Sequence, residues 1–145
     1  MLPVTVYSLD QLTRIIWEID EGLAQLRKSP ELKPQFSSAT EKLFALNGIH
    51  SFDEPTATAL KEALETARKN SQEIHISTNS IMTPGWREEI MQWLRNEIDS
   101  RLFCSFSSDT TQGGGIIVRT SKRQYDMTFK HQLLSSSSRL VELLK

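Results

Sequence analysis

Residues 113–134 read GGGIIVRTSKRQYDMTFKHQLL, and this run decides the fold of the carboxyl-terminal half. Three glycines lead into the apolar segment 116–118. A basic segment, a short strand that carries Asp126, and a helix from Phe129 then follow. Because consecutive apolar residues bury both faces of a strand, we expect 116–118 to lie inside a sheet rather than at its edge. The run therefore predicts a β-hairpin followed by a terminal helix.

The basic segment sets the register of this hairpin. If the chain turns at Lys122 and Arg123, Arg119 lies directly opposite Asp126 on the neighbouring strand. Such a cross-strand pair contributes roughly 0.2–1 kcal/mol, which is enough to favour one register. Lys-Arg is a poor sequence for a two-residue turn, so a longer loop is the alternative.

The glycine triplet, Gly113 to Gly115, invites comparison with a phosphate-binding loop. Glycines in such a loop open a helix and end in Gly-Lys-Ser/Thr, so that backbone amides at the helix start meet the phosphates. Here the glycines precede a strand and no such ending follows. We interpret them as residues that permit an unusual backbone path and close packing.

The segment before the glycines predicts a strand, a helix and a second strand. Apolar and polar residues alternate over 73–77 and again over 102–106, which is the period of a half-buried strand. Thr83 and Pro84 supply a cap and a first-turn proline for the intervening helix. The apolar positions assigned to its buried face are Trp86, Ile90, Trp93 and Leu94. This order predicts a βαβ unit with a right-handed crossover.

The amino-terminal part predicts three amphipathic helices. The first runs from about Ser8 to Lys28, the second begins at residues 32–34 and ends at Asn47-Gly48, and the third begins near Asp53. The apolar stripe of the first helix comprises Leu12, Ile15, Ile16, Ile19, Leu23 and Leu26. We therefore predict an α+β protein. An antiparallel helical bundle occupies residues 1–71, and a small α/β module (βαβ plus β-hairpin and terminal helix) occupies residues 72–145.

Composition bounds the functional classes. The chain is 38% hydrophobic and 24% charged with a formal net charge of −1, which is ordinary for a soluble globular protein and gives no general reason to expect nucleic acid. The single cysteine, Cys104, fits a reducing compartment and is interpreted as a small buried hydrophobe. No window supplies the roughly 18 apolar residues of a membrane span, so we expect membrane association only through a partner.

Catalytic and cofactor motifs are not evident. His50, His75 and His131 lie far apart in sequence, and the Glu88-Glu89 carboxylates point about 100° apart on a helix. The serines form no nucleophile elbow. We therefore expect no catalytic residue, metal or cofactor. Trp17 lies off the centre of the apolar stripe, so it either packs at the edge of the bundle or anchors a partner.

The carboxyl-terminal run resembles the signature of the delta subunit of F-type ATP synthases, a relative of the mitochondrial oligomycin-sensitivity-conferring protein. That signature joins a Gly-Gly pair, an apolar strand that ends in Arg, an Asp, a Ser/Thr and a helix with Gln-Leu. The matching residues are Gly114, Gly115, Arg119, Asp126, Thr128, Gln132 and Leu133. The resemblance covers about half of the chain. Met127 stands where the family usually has glycine, and the amino-terminal part is shorter than the family's helical bundle.

The resemblance implies a non-catalytic stator subunit that joins the catalytic head to the peripheral stalk and resists rotor torque during proton-coupled ATP synthesis. Its implied partners are the amino-terminal helices of the alpha subunits and the carboxyl-terminal helices of the b-subunit. Its implied place is the cytoplasmic face of the cell membrane, through the complex. We assign the head contact to Leu12, Ile16 and Trp17. The assigned stalk contacts are Leu133, Leu140, Val141 and Leu144.

Three alternatives stay open. The E subunit of V/A-type ATPases and a flagellar export stator protein have similar carboxyl-terminal sequences, although both usually carry a long coiled coil. A small nucleic-acid-binding α/β protein would use the basic residues Lys122, Arg123, Lys130 and Arg139. Such binding weakens steeply with salt. An enzyme with an unrecognised site is the third.

Overall fold

The computed structural model describes residues 2–129, 131 and 132. Within them the protein is a mixed α/β structure of four α-helices and one four-stranded mixed sheet, in agreement with the predicted α+β class. The elements, in chain order, are α1 (Leu9–Lys28), α2 (Ser38–Leu46), α3 (Glu54–Lys69), β1 (Gln72–Thr78), α4 (Pro84–Glu97), β2 (Leu102–Ser108), a 3₁₀ turn (Thr110–Gln112), β3 (Gly115–Arg119) and β4 (Gln124–Thr128). The predicted terminal helix lies outside the described residues.

Local capping explains where α1 and α3 begin. Ser8 and Gln11 form a reciprocal capping box at the start of α1, and the Asp53 carboxylate accepts a hydrogen bond from the Thr56 amide at the start of α3. Both starts agree with the sequence prediction. The end of α2 is also confirmed, because Gly48 follows with a φ of +67°.

The predicted start of α2 at residues 32–34 is wrong, because the helix begins at Ser38. Residues 33–37 are extended, and the Phe36 ring packs against Phe44 and Phe52 at centroid distances of 5.0 and 4.7 Å. The cap comes from Ser37 instead of from the proline at 34. Tertiary packing of Phe36 thus moves the start of α2 about one turn toward the carboxyl terminus.

The sheet has the strand order β2-β1-β3-β4. β1 and β2 are parallel neighbours joined through α4, whereas β3 is antiparallel to both β1 and β4. β3 is therefore an interior strand, as its apolar sequence predicted.

The predicted hairpin register is wrong by two residues. Arg119 pairs with Gln124, and Asp126 lies opposite Ile117. The turn is centred on Ser121 and Lys122, one residue earlier than predicted. The Thr120 amide and hydroxyl donate to the Arg123 carbonyl oxygen, and the Thr120 hydroxyl accepts from the Arg123 amide. Arg119 then donates from Nε to Gln124 Oε1 at 2.9 Å.

Two apolar clusters meet at β2. The helical cluster holds Val6, the buried stripe of α1, Leu43, Leu64 and Phe103. The sheet cluster lies between α4 and the sheet and holds Ile76, Met91, Leu94, Leu102 and Cys104. Adjacent β2 residues point to opposite faces, so Phe103 joins the first cluster while Cys104 joins the second. The division at residue 71 stays a prediction.

The buried face of α4 differs from the predicted one. Met91 and Leu94 are buried and Ile90 is half-buried, whereas Trp86 and Trp93 are 63% and 59% exposed. The spacing of the tryptophans suits a helix face, but the face that contacts the sheet is centred near Met91, about a quarter turn away. The prediction that both tryptophans are buried is therefore wrong.

Cys104 is fully buried, as predicted. Its environment leads to a prediction about the reactivity of the thiol. Burial, with a smaller contribution from the Glu73 carboxylate, raises the pKa of the thiol to about 12. At pH 8 the thiolate fraction should be about 10³-fold below that of a free cysteine, so iodoacetamide should label the native protein about 10³-fold more slowly than the urea-unfolded chain. Equal rates in the two states would contradict this environment.

The same raised pKa gives stability a pH dependence. The unfolded thiol ionises near its ordinary pKa of about 8.5, whereas the folded thiol stays protonated to about pH 12. The contribution of Cys104 is therefore complete below about pH 8.5 and declines as the pH rises toward 12.

Candidate functional site

The signature residues of the carboxyl-terminal run form a structural corner. Gly113, Gly114 and Gly115 have φ values of +68°, +89° and +95°, a conformation that favours glycine. A Cβ on Gly115 would lie 2.6 Å from the Met127 carbonyl oxygen, and one on Gly114 would lie 2.9 Å from the Phe129 ring. The interpretation of the glycines as close-packing residues is confirmed.

Asp126 and Thr128 complete this corner. The Asp126 carboxylate accepts hydrogen bonds from the Thr128 amide at 2.9 Å and from its hydroxyl at 2.6 Å. The Thr128 hydroxyl then accepts a hydrogen bond from the His131 amide. Thr128 itself is buried. The Asp-x-Thr pattern therefore fixes how the chain leaves β4.

A histidine and two serines lie together in a way that the sequence analysis did not identify. His75 Nδ1 lies 3.0 Å from Ser105 Oγ, and His75 Nε2 lies 2.8 Å from Ser107 Oγ. The sequence did contain a signal for this cluster, because parallel pairing of the two predicted strands, 73–77 with 103–107, places His75 beside Ser105 and Ser107. A serine next to a histidine can act in nucleophilic catalysis, but here the group that orients the imidazole is a neutral hydroxyl rather than a carboxylate. The cluster joins β1 to β2.

The described residues contain no group of three or more histidine, cysteine or carboxylate side chains that could hold a metal ion.

Trp17 is the exposed residue among the three predicted head contacts. Its side chain on α1 is 63% exposed, whereas Leu12 and Ile16 are buried in the helical cluster. Leu12 and Ile16 therefore pack in the core and hold α1 in place, whereas Trp17 is accessible to solvent. The other predicted contacts, Leu133, Leu140, Val141 and Leu144, lie outside the described residues.

Trp17 stands between two grooves. The first, of about 360 Å³, runs between α1 and α3 and is lined by Trp17, Asp20, Glu21, Leu23, Ala24, Arg27, Thr58 and Lys61. The second, of about 480 Å³, runs between α1 and the extended segment and is lined by Trp17, Glu18, Glu21, Gly22, Ala24, Gln25, Lys28, Ser29, Pro34 and Gln35. We call this surface the Trp17 face. Trp17, Glu21 and Ala24 line both grooves, and the rest of the lining is mostly polar or charged.

Ion pairs and hydrogen bonds fix the walls of the Trp17 face. Lys61 on α3 contacts Asp20 on α1 at 2.6 Å, and Arg27 contacts Glu54 at the same distance. The Glu18 carboxylate accepts hydrogen bonds from Thr40 Oγ1 at 2.6 Å and from the Ser37 amide at 3.1 Å. Burial alone would raise the pKa of Glu18, but these hydrogen bonds outweigh it and lower the pKa.

A larger cleft of about 700 Å³ lies where α3 approaches α4. One wall is apolar and comes from α2, α3 and the amino-terminal segment, whereas the facing wall from α4 carries amides and a guanidinium. The lining residues are Leu2, Val4, Leu43, Asn47, Leu60, Ala63, Leu64, Ala67, Gln92, Arg95, Asn96 and Ser100. A surface of this kind fits an amphipathic helix better than a small charged ligand.

Arg95 lines this cleft and holds the amino-terminal segment. Its guanidinium donates hydrogen bonds to the carbonyl oxygens of Pro3 at 3.1 Å, Val6 at 2.6 Å and Leu102 at 3.4 Å. It also lies 5.5 Å from the centroid of the Phe103 ring. Burial lowers the pKa of this guanidinium.

The geometry of the described residues thus offers grooves for helices, one exposed anchor residue and a rigid glycine corner. None of the described helices is both long enough and apolar enough to span a membrane. No protein-family model matches the chain, and no curated protein is significantly similar to it.

Proposed function

We propose that this protein is a non-catalytic stator subunit of a rotary F-type ATP synthase. It would link the catalytic head to the b-subunit stalk and resist rotor torque at the cytoplasmic face of the cell membrane. The observation that carries the proposal is the Trp17 face, where the exposed Trp17 side chain lines two grooves that run along α1. The resemblance of the carboxyl-terminal signature, from Gly114 to Leu133, supports it from the sequence side.

The architecture needed for this role belongs to the same proposal. The amino-terminal helices would act as an antiparallel bundle that contacts the head, and the βαβ unit with its hairpin would form the stalk-binding module. The two parts would be joined at β2, which contributes Phe103 to one cluster and Cys104 to the other. A joint under torque requires such shared packing between its two ends.

The partner chemistry follows from the grooves. A helix laid along α1 would place apolar residues at three- and four-residue spacing against Ala24 and the Trp17 ring. The ion pairs Lys61–Asp20 and Arg27–Glu54 already satisfy charges on the α3 side. The occupant therefore needs an apolar stripe more than a strong charge, as an amphipathic alpha-subunit helix would provide.

A peptide titration tests this assignment. A peptide that copies the cognate alpha-subunit amino terminus should shift the Trp17 indole N–H resonance in NMR spectra of the full chain. Trp17→Ala should weaken binding at least about 30-fold, because a central aromatic anchor is typically worth 2 kcal/mol or more.

Trp86 provides the matched control, since its side chain is equally exposed, at 63%, but lies on α4. Trp86→Ala should leave the affinity unchanged within about twofold. Failure of the Trp17 resonance to move at saturating peptide would reject the Trp17 face. So would an equal loss of affinity in the two variants.

A further inference from the structure

A small cavity opens at the carboxyl ends of the two parallel strands. It has a volume of about 290 Å³, near the lower limit of ligand sites, and lies where β1 leads into α4 and β2 ends. Its lining consists of Ile81, Met82, Arg87, Phe106, Ser107 and Ser108. We call it the Arg87 cavity. It is separate from the Trp17 face and from the larger cleft beside Arg95.

Two aromatic rings hold the Arg87 guanidinium in place. The guanidinium carbon lies 5.9 Å from the ring centroids of both Tyr7 and Phe106, and Nη1 donates a hydrogen bond to the Tyr7 hydroxyl at 3.2 Å. Tyr7 and Phe106 contact each other edge to face at 5.6 Å. The side chain is therefore fixed before any ligand binds, which reduces the entropy lost on binding.

The same guanidinium has a buried donor without an acceptor. Arg87 Nε is buried and makes no hydrogen bond, and Arg87 forms no ion pair with any residue that the structure describes. A buried donor without an acceptor destabilises the folded state, and an arginine at the wall of a cavity ordinarily serves to bind an oxyanion. The geometry of the cavity therefore has a positive charge and an unused hydrogen-bonding edge.

We propose that the Arg87 cavity binds a carboxylate that carries a short apolar stem. The edge formed by Nε and Nη2 of a guanidinium matches the two oxygens of a carboxylate. One fixed positive charge balances a monoanion, whereas a phosphate dianion would leave a net negative charge in a partly enclosed site. The side chains of Ile81, Met82 and Phe106 provide apolar walls for the stem, and Ser108 lines the cavity beside them. The Ser107 hydroxyl instead lies 2.8 Å from His75 Nε2 on the other face of the sheet.

Propionate is the probe, because it combines a carboxylate with a short apolar stem. The Nε–Hε resonance of Arg87, assigned by its loss in Arg87→Lys, should shift saturably in the full-length protein with a dissociation constant on the order of 1–10 mM. The Arg68 resonance is the internal reference, since this side chain is exposed on α3. Sodium chloride at equal ionic strength measures non-specific screening.

Two variants separate the site from the fold. Arg87→Lys keeps the charge but lacks the two-donor edge, so the propionate affinity, followed by the Ser108 amide resonance, should fall at least fivefold. Ser108→Ala removes a rim hydroxyl from an exposed position and leaves the Arg87 contacts intact. It should weaken binding two- to fivefold, and it keeps the test valid if Arg87→Lys does not fold.

The outcomes are distinct. A saturable Arg87 shift with propionate and none with chloride supports the site. A propionate shift that equals the chloride shift, or that Arg68 shares, overturns it. Tighter binding of inorganic phosphate than of propionate overturns the assignment to a monocarboxylate. None of these results bears on the Trp17 face, so the cavity and the proposed stator role can fail separately.

Discussion

Replacing Gly115 with alanine is expected to destabilise the protein by about 2–6 kcal/mol, the sum of about 1–3 for backbone strain and about 1–3 for steric overlap. The residue has a φ of +95°, where side chains are rarely found, and a Cβ would lie 2.6 Å from both the Met127 oxygen and the Thr128 Cα. These are backbone atoms of the paired strand, so they cannot rotate away. Urea unfolding followed by circular dichroism measures the loss.

Two further glycines supply matched controls. Gly48 has a φ of +67° but nothing within 4 Å of its Cβ position, so Gly48→Ala isolates the backbone cost, about 1–2 kcal/mol. Gly85 in the first turn of α4 has neither constraint, so Gly85→Ala should be neutral or stabilising by up to about 1 kcal/mol. A cost for Gly115→Ala no larger than that for Gly48→Ala would show that the strand can move aside.

Replacing Arg95 with methionine should cost about 3–5 kcal/mol. Methionine keeps much of the aliphatic packing, but the carbonyl groups of Pro3, Val6 and Leu102 lose a charged donor, and all three residues are buried. Each buried acceptor left without a partner costs about 1–3 kcal/mol, part of which water entry would recover. Chemical denaturation and hydrogen exchange of the Val6 and Cys104 amides measure the effect.

Arg101 offers the contrasting substitution. Its side chain is 63% exposed and pairs with Asp99 at 3.1 Å, within two residues of chain. Arg101→Met should change stability by no more than about 1 kcal/mol, because exposed ion pairs contribute little. If Arg95→Met were equally mild, the amino-terminal segment would be held by Val6 and Tyr7 packing rather than by the guanidinium.

Elements with local signals were predictable from the sequence. Ser8 and Gln11 supply the capping box of α1, and the apolar stripe that follows needs no distant partner to be recognised. The same holds for β1, where apolar and polar residues alternate, and for the consecutive apolar residues of β3. In each case the residues that determine the element lie within it.

The wrong predictions concern the start of α2, the buried face of α4 and the hairpin register, which all depend on contacts beyond the element itself. Ser37 at the start of α2 bonds Glu18, nineteen residues earlier, and Phe36 packs on Gly22. The choice between Met91 and the tryptophans of α4 depends on where the sheet lies, which helical spacing alone does not encode. The hairpin register depends on Thr120, whose hydroxyl bonds the Arg123 backbone and places the turn one residue earlier than Lys122-Arg123.

The candidate site was predictable only in part. The displacement of Trp17 from the α1 stripe was visible in the sequence and matches its exposed position. Leu12 and Ile16 belong to that stripe and are buried, so periodicity marks them as core residues in the structure. The Arg87 cavity had no sequence signal, because Tyr7, which holds the guanidinium, lies eighty residues away in the chain.

The binding of residues 3–7 by Arg95 and Cys104 also orders events during synthesis. The Pro3 and Val6 carbonyls cannot form their hydrogen bonds until Arg95, 92 and 89 positions later, has been synthesised. The Tyr7 carbonyl likewise requires the Cys104 amide. A ribosome adding roughly 5–20 residues per second takes several seconds to cover that distance. Residues 3–7 are therefore synthesised well before the residues that bind them, and a nascent chain stalled before residue 104 would lack the contact between the Tyr7 carbonyl and the Cys104 amide.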